Sequence, residues 1–135
     1  MRIAVLDTSA LLRLFIPDGP IPSGLEELLR MAELGRATLL APELILVEAG
    51  QVLRKKRLQG ILSSTEAVDM LKDILSLPLH LSGHKAFMEE ALRISEQEGL
   101  SVYDALFLAL AEHHGVELVS ADDRLNRAFE HRCGS

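Results

Sequence analysis

The sequence is poor in the residues that most specialised classes depend on. It has one cysteine, Cys133, in 135 residues. An internal disulfide is therefore impossible, and a cysteine-built zinc module is excluded. It has no tryptophan, one tyrosine and four phenylalanines. That is too few for a protein that stacks single-stranded bases on aromatic platforms. Its apolar runs, such as residues 105–111, fall far short of the ~20 residues that span a bilayer. The opening stretch meets an acid at Asp7, too early for a signal-peptide core, so a cytoplasmic location and no membrane partner are expected. Positive charge is in deficit, with 14 Lys and Arg against 20 Asp and Glu and a net charge of −6. A protein that coats duplex nucleic acid needs the opposite balance. A nuclease does not, because a bound metal supplies positive charge locally. No G-x-G-x-x-G, no Gly-Lys-Ser/Thr loop and no G-x-S-x-G elbow is present. Nucleotide-cofactor, P-loop and serine-hydrolase readings fail with them.

What remains is ordinary globular composition, 48% hydrophobic and 25% charged. The length suits one domain over residues 1–135, large enough to bury a core without staples. Short apolar runs at 2–6, 37–41, 78–81 and 116–119 read as buried strands. Between them lie helical patterns. Asp7, Thr8 and Ser9 offer caps for a helix over 10–15, and an amphipathic stretch follows at 24–35. Pro42 suits the first turn of a helix reaching 58. Ser63 with Glu66 forms a capping-box pattern for a helix to 75, and Ser82 is expected to cap another to 98. Ser101 with Asp104 repeats the box before a strongly apolar helix to 113, and Ser120 is expected to cap a last helix to 130. Alternating strands and helices imply crossovers and a parallel sheet covered on both faces. Sites in such sheets lie at the carboxyl ends of the strands.

Four acids fall where those ends are expected. Asp7 follows the first strand, and Asp122 follows the fourth by a short turn. Glu48 lies two turns into the helix after the second strand, and Asp104 lies in the first turn of the apolar helix. Each also has a structural alternative. Asp7 can cap the next helix, and Asp104 can be the reciprocal member of the Ser101 box. Glu48 has Leu44, Ile45 and Val52 as helical neighbours, an apolar flank on which an unsatisfied acid is costly. Asp123 stands three residues after Ser120, so the cap is assigned to Asp123 and the chemistry to Asp122. Converging carboxylates raise one another's pKa values unless a cation sits among them. Such a set suits a hard divalent ion with oxygen ligands. Mg²⁺ needs only one or two direct carboxylates and keeps several waters. One or two such ions activate water for in-line displacement at phosphorus, so the inferred chemistry is metal-assisted phosphodiester hydrolysis.

The run Arg54, Lys55, Lys56 and Arg57 closes the Glu48 helix. It serves either the helix dipole or a phosphate-tracking rim, which Arg124 and Arg127 can join. His80, His84 and the Glu112-His113-His114 run lack the spacing of a histidine-built metal site.

Val5-Leu6-Asp7-Thr8-Ser9-Ala10-Leu11 resembles the opening motif of PIN domains. Pro42-Glu43-Leu44 with Glu48-Ala49 resembles their second motif, and Tyr103-Asp104-Ala105-Leu106 with Leu108-Ala109-Leu110-Ala111 their third. Leu118-Val119-Ser120-Ala121-Asp122 with Leu125 resembles the fourth, with serine at 120 where threonine is commoner. The resemblance runs from the first strand to the last helix. It implies a three-layer α/β/α fold with a parallel sheet of four or five strands. Residues 128–135 show no pattern for a fifth strand. It also implies a Mg²⁺- or Mn²⁺-dependent ribonuclease of the VapC-type toxin class, acting on RNA, forming a homodimer and restrained by a cognate antitoxin. The site residues carried over are Asp7, Glu48, Asp104 and Asp122, with Ser9 and Ser120 in support. Two alternatives stand beside it. One is a catalytically idle domain of this fold, which loss of a motif acid would mark; none is lost. The other is a haloacid-dehalogenase-like phosphatase, which wants a second acid where Ser9 stands.

Overall fold

Four short apolar stretches pair side by side in a parallel sheet ordered β3-β2-β1-β4. The computed structural model describes residues 1–133, so Gly134 and Ser135 lie outside the described residues. The strands are β1 (Arg2–Leu6), β2 (Ala37–Pro42), β3 (Leu79–Ser82) and β4 (Glu117–Val119). Ala4 lies opposite Leu39 on one side and Glu117 on the other, and Val5 opposite Leu40 and Leu118. The helices are α1 (Thr8–Arg13), α2 (Leu25–Glu33), α3 (Leu44–Leu58), α4 (Ser64–Leu75), α5 (Met88–Glu98), α6 (Val102–His114) and α7 (Asp123–Cys133). A parallel sheet flanked by helices is the expected α/β/α architecture, with four strands among the described residues. No fifth strand forms from residue 128 to Cys133, which continue α7.

Packing follows the apolar pattern. Helix α2 lays Leu28 on Ala4, Ala37 and Leu39. Helix α6 is buried from Ala105 through Ala111 and packs on β1, β2, β4 and α5. A helix apolar on nearly every side must be covered on nearly every side. No helix among the described residues is long and apolar enough to cross a membrane.

Helix α1 starts at Thr8 and ends at Arg13, where 10–15 is expected, and two further boundary differences share one cause. Pro42 does not open α3 and Ser82 does not cap the next helix, because both extend the β2–β3 ladder as paired residues. The Glu43 N–H then donates to the Ser82 carbonyl at 2.9 Å. A 3₁₀ turn at Lys85–Phe87 precedes α5. The cap of α3 comes instead from His84, whose Nε2 accepts from the Leu44 N–H at 3.0 Å.

The strand order locates the site. From β1 the chain adds β2 and then β3 on one side, and later places β4 on the other side of β1. The order therefore reverses between β1 and β4, and ligand crevices form at the carboxyl ends of such a pair.

Candidate active site

Asp7 is the first residue past β1, and its N–H donates to the Val119 carbonyl at the end of β4 (3.1 Å). The residue is only 4% exposed. Oδ1 accepts from the Ala10 N–H at 2.9 Å and from the Ser9 hydroxyl at 2.8 Å. Oδ2 accepts from the Ser120 hydroxyl at 2.6 Å. Ser9 Oγ in turn accepts from the Ala121 N–H at 2.9 Å, tying α1 to the β4 exit. Asp7 thus caps α1, as one reading allowed, and also presents its carboxylate to a cleft. Burial is the main cause that pushes its pKa up to about 6; the bonds from Ser120, Ala10 and Ser9 oppose the rise and the nearby Asp122 charge adds to it.

That cleft, about 320 Å³ in volume, is lined by all four acids, Asp7, Glu48, Asp104 and Asp122. Thr8, Ser9, Arg13, Asp18, Val52 and Phe107 also line it. Glu48 sits on α3 with Oε1 accepting from the Thr8 hydroxyl at 2.5 Å. Burial raises its pKa, the Thr8 bond opposes this, and the Asp104 charge reinforces it. Asp104 is raised by burial first and then by the Asp122 charge, against Ser101 and Arg124. The Ser101 box is half made. The Ser101 hydroxyl accepts from the Asp104 N–H at 3.1 Å, but Asp104 does not form the reciprocal bond to the Ser101 N–H. The structural alternative for the Asp104 carboxylate therefore lapses.

The assignment at the start of α7 is corrected. Asp122, not Asp123, is its cap: Oδ1 accepts from the N–H groups of Arg124 (2.9 Å) and Leu125 (3.3 Å). Ser120 cannot serve Asp123, because its hydroxyl donates to Asp7 and accepts from the Asp122 N–H at 2.9 Å. Asp123 is exposed. Asp122→Ala should cost about 1 kcal/mol of stability, the usual loss of a cap. Asp123→Ala should stay within about 0.5 kcal/mol of the parent. Urea melts of the two variants decide, and the opposite ranking would return the cap to Asp123.

The four acids, with Ser9 and Thr8, form an all-oxygen set, and no histidine or cysteine lines the cleft. That chemistry fits a hard divalent cation. The acids share the cleft without closing as a cage: among the described residues, no three His, Cys, Asp or Glu side chains already surround one point. Asp7, Glu48 and Asp122 spend oxygens on protein donors instead. One or two direct carboxylates with waters between suffice for Mg²⁺.

The basic run divides between two faces. Lys56 Nζ pairs with Asp18 Oδ2 at 2.8 Å, at the edge of the acid cleft. Lys55 stands one turn on from Val52 on the same side of α3. Arg54 and Arg57 instead line a separate groove with Ser64, Ala67, Val68 and Leu71 of α4. Arg124 donates to the Gly99 carbonyl at 2.9 Å and stands close enough to Asp104 to act on its charge. Thr8, Arg13 and Asp18 were not singled out from the sequence as site residues. Thr8 had a signal in its place between Asp7 and Ser9; the others become visible only when the chain folds.

The model of the PIN domain family matches residues 4–130. The chain is similar to Ribonuclease VapC12 of Mycobacterium tuberculosis, 30% identical over 129 residues that cover 96% of this chain and 94% of that protein. It is 28% identical to Ribonuclease VapC3 of Pyrobaculum aerophilum, over 93% of each. Among solved structures, PAE2754 from Pyrobaculum aerophilum superposes with a TM-score of 0.73 at 26% identity, covering 96% of this chain and 87% of its own. VapBC2 from Rickettsia felis, solved bound to a DNA fragment from its promoter, shares the fold with a TM-score of 0.63 at 20% identity, over 93% of this chain and 92% of that one.

Proposed function

The chain belongs to the PIN domain family, and from that premise we propose that it is a metal-dependent endoribonuclease, the toxin of a toxin–antitoxin pair. The observation that carries the proposal is the gathering of Asp7, Glu48, Asp104 and Asp122 on one cleft at the sheet's reversal point. The names of the relatives, both ribonucleases, support it.

PIN-domain ribonucleases use a metal, and here Mg²⁺ or Mn²⁺ would be held by Asp7, Asp104, Asp122 and Glu48. Bound there, the ion supplies a nucleophilic water at neutral pH and charge stabilisation at phosphorus. The chain's own residues prepare the site. Ser9 and Ser120 fix the Asp7 carboxylate from both sides, and Thr8 fixes Glu48. Asp122 joins helix α7 to the cleft through its cap. Lys55, Lys56 and Arg124 supply phosphate contacts at the rim. Arg54 and Arg57, on the far face, belong to a more distant stretch of RNA or to the dipole of α3. The working unit is a homodimer of a single domain over residues 1–135, held inactive in the cytoplasm by a cognate antitoxin.

Purified chain freed of any partner should cut single-stranded RNA into fragments in Mg²⁺ or Mn²⁺ and stop in chelator. Gel analysis of a total RNA preparation reads this directly. Intact RNA in every metal would overturn the proposal and leave an idle binding domain. Release of phosphate from small monoesters without RNA cutting would point to the phosphatase reading, which Ser9 disfavours because that chemistry wants a second acid in its place.

A further inference from the structure

Arg13 ends α1 one turn after Ser9, and its side chain lines the acid cleft. It also lines an adjoining groove with Pro20, Ile21, Ser23 and Asn126. It makes no ion pair with an acid among the described residues, although five carboxylates, Asp18 included, share its cleft. The carboxylate nearest in sequence, Asp18, is held by Lys56. The Nη1 nitrogen is shut off from solvent and has no hydrogen-bond partner among the described residues. The guanidinium packs against the backbone of Gly19, where an added Cβ would fall 2.7 Å from Nη1 and push it aside. An unpaired buried donor is costly. Leaving this resting place therefore breaks no bond and relieves an unsatisfied group.

We propose that Arg13 is a positioning residue that swings from its seat on Gly19 to hold a backbone phosphate of single-stranded RNA, next to the phosphate cut among the acids. The inference rests on the ribonuclease reading and adds to it the path of the strand. Acids and guanidinium share the cleft without pairing, so an anion between them is drawn to the cation and, through a bound metal, to the carboxylates. Arginine suits that task because its planar fork matches two phosphate oxygens. Its place on both concavities sends the strand from the acid cleft along the Pro20 side of the molecule.

The test is steady-state cleavage of a short fluorogenic single-stranded RNA pool of randomised sequence, in Mg²⁺, over about 50 to 200 mM salt. Arg13→Gln should raise KM about tenfold and leave kcat within about twofold, the signature of lost binding away from the reacting atoms. The slope of log KM against log salt should fall by about 0.7, the contribution of one phosphate on a single strand. Arg13→Met, which keeps the stem, should lose the same slope, and Arg13→Lys should restore it. Melting temperatures run in parallel show which variants are folded, and either charge-removing variant suffices. An unchanged salt slope, or a loss confined to kcat, overturns the role of Arg13 while the parent still cuts RNA. A parent that cuts no RNA in Mg²⁺ or Mn²⁺ overturns the underlying reading, and this inference falls with it.

Discussion

Asp7→Asn and Asp104→Asn should each lower RNA cleavage by at least about 100-fold, because losing a proposed metal ligand should cost no less than the roughly 10–100-fold that disturbing a ligand's outer-shell partner costs. The two substitutions keep side-chain shape and remove one charge. They differ in what else they disturb. Asp7→Asn keeps an oxygen for the Ala10 N–H that Oδ1 now accepts, but the new amide would meet the Ser120 hydroxyl that now donates to Oδ2. Asp104→Asn meets no such conflict, because the reciprocal capping bond is not formed. A comparable loss in both variants therefore reports lost charge in the cleft and not a disturbed cap. Rates measured at saturating RNA and Mg²⁺ check this. Full activity in both would remove these acids from the reaction, and loss in Asp7→Asn alone would reduce the site to the neighbourhood of β1 and β4.

The order of the elements and the convergence of the four acids were legible because both follow from local patterns. An acid at or within a short turn of the end of a buried strand lies at a carboxyl end whatever the strand's neighbours are, and Asp7 and Asp122 needed only that. The errors came from contacts between distant residues. Ser120-x-x-Asp123 satisfies the capping-box pattern, yet the Ser120 hydroxyl is already engaged by Asp7, 113 positions away. Once that hydroxyl is taken, the cap passes to Asp122. Ser82 failed as a cap because β2 held it in a ladder. His84, weak as a metal ligand, serves the N-terminus of α3 across 40 residues. The Thr8–Glu48 bond spans the same separation and explains how an acid is tolerated beside Leu44, Ile45 and Val52. The split of the basic run was within reach of helical periodicity, since positions 54 and 57 share a face that 55 and 56 do not.

In metal-free buffer at pH 7 the folded cleft should weaken the protein, and neutralising Asp104 should strengthen it. Asp7 has its pKa raised to about 6, and those of Glu48 and Asp104 are raised as well, burial being the main cause in each. A carboxyl whose folded pKa lies above its unfolded value binds protons more tightly in the folded state. Stability then falls as pH rises from the ordinary value near 3.8 through about 6. It stays at the lower level above that window. For Asp7 alone the change is about 3 kcal/mol. Melts in chelator should therefore show a higher melting temperature near pH 5 than at pH 7. At pH 7, Asp104→Asn should raise the melting temperature by a few degrees, because it removes one charge that burial and Asp122 both penalise. Mg²⁺ should reverse the ranking. Under the proposed function it would bind the charged, folded cleft and not the unfolded chain, and so would stabilise the parent. It competes with protons for the same oxygens, so its benefit should fade as pH falls below about 6. The Asp104→Asn variant, one charge poorer, should gain less from Mg²⁺ at every pH. If Asp104 were only a capping residue, asparagine there would be neutral or destabilising with or without the ion. Melts of parent and variant, each in chelator and in Mg²⁺ at the two pH values, separate the cases. An identical response of the two proteins to Mg²⁺ would take Asp104 out of the metal site.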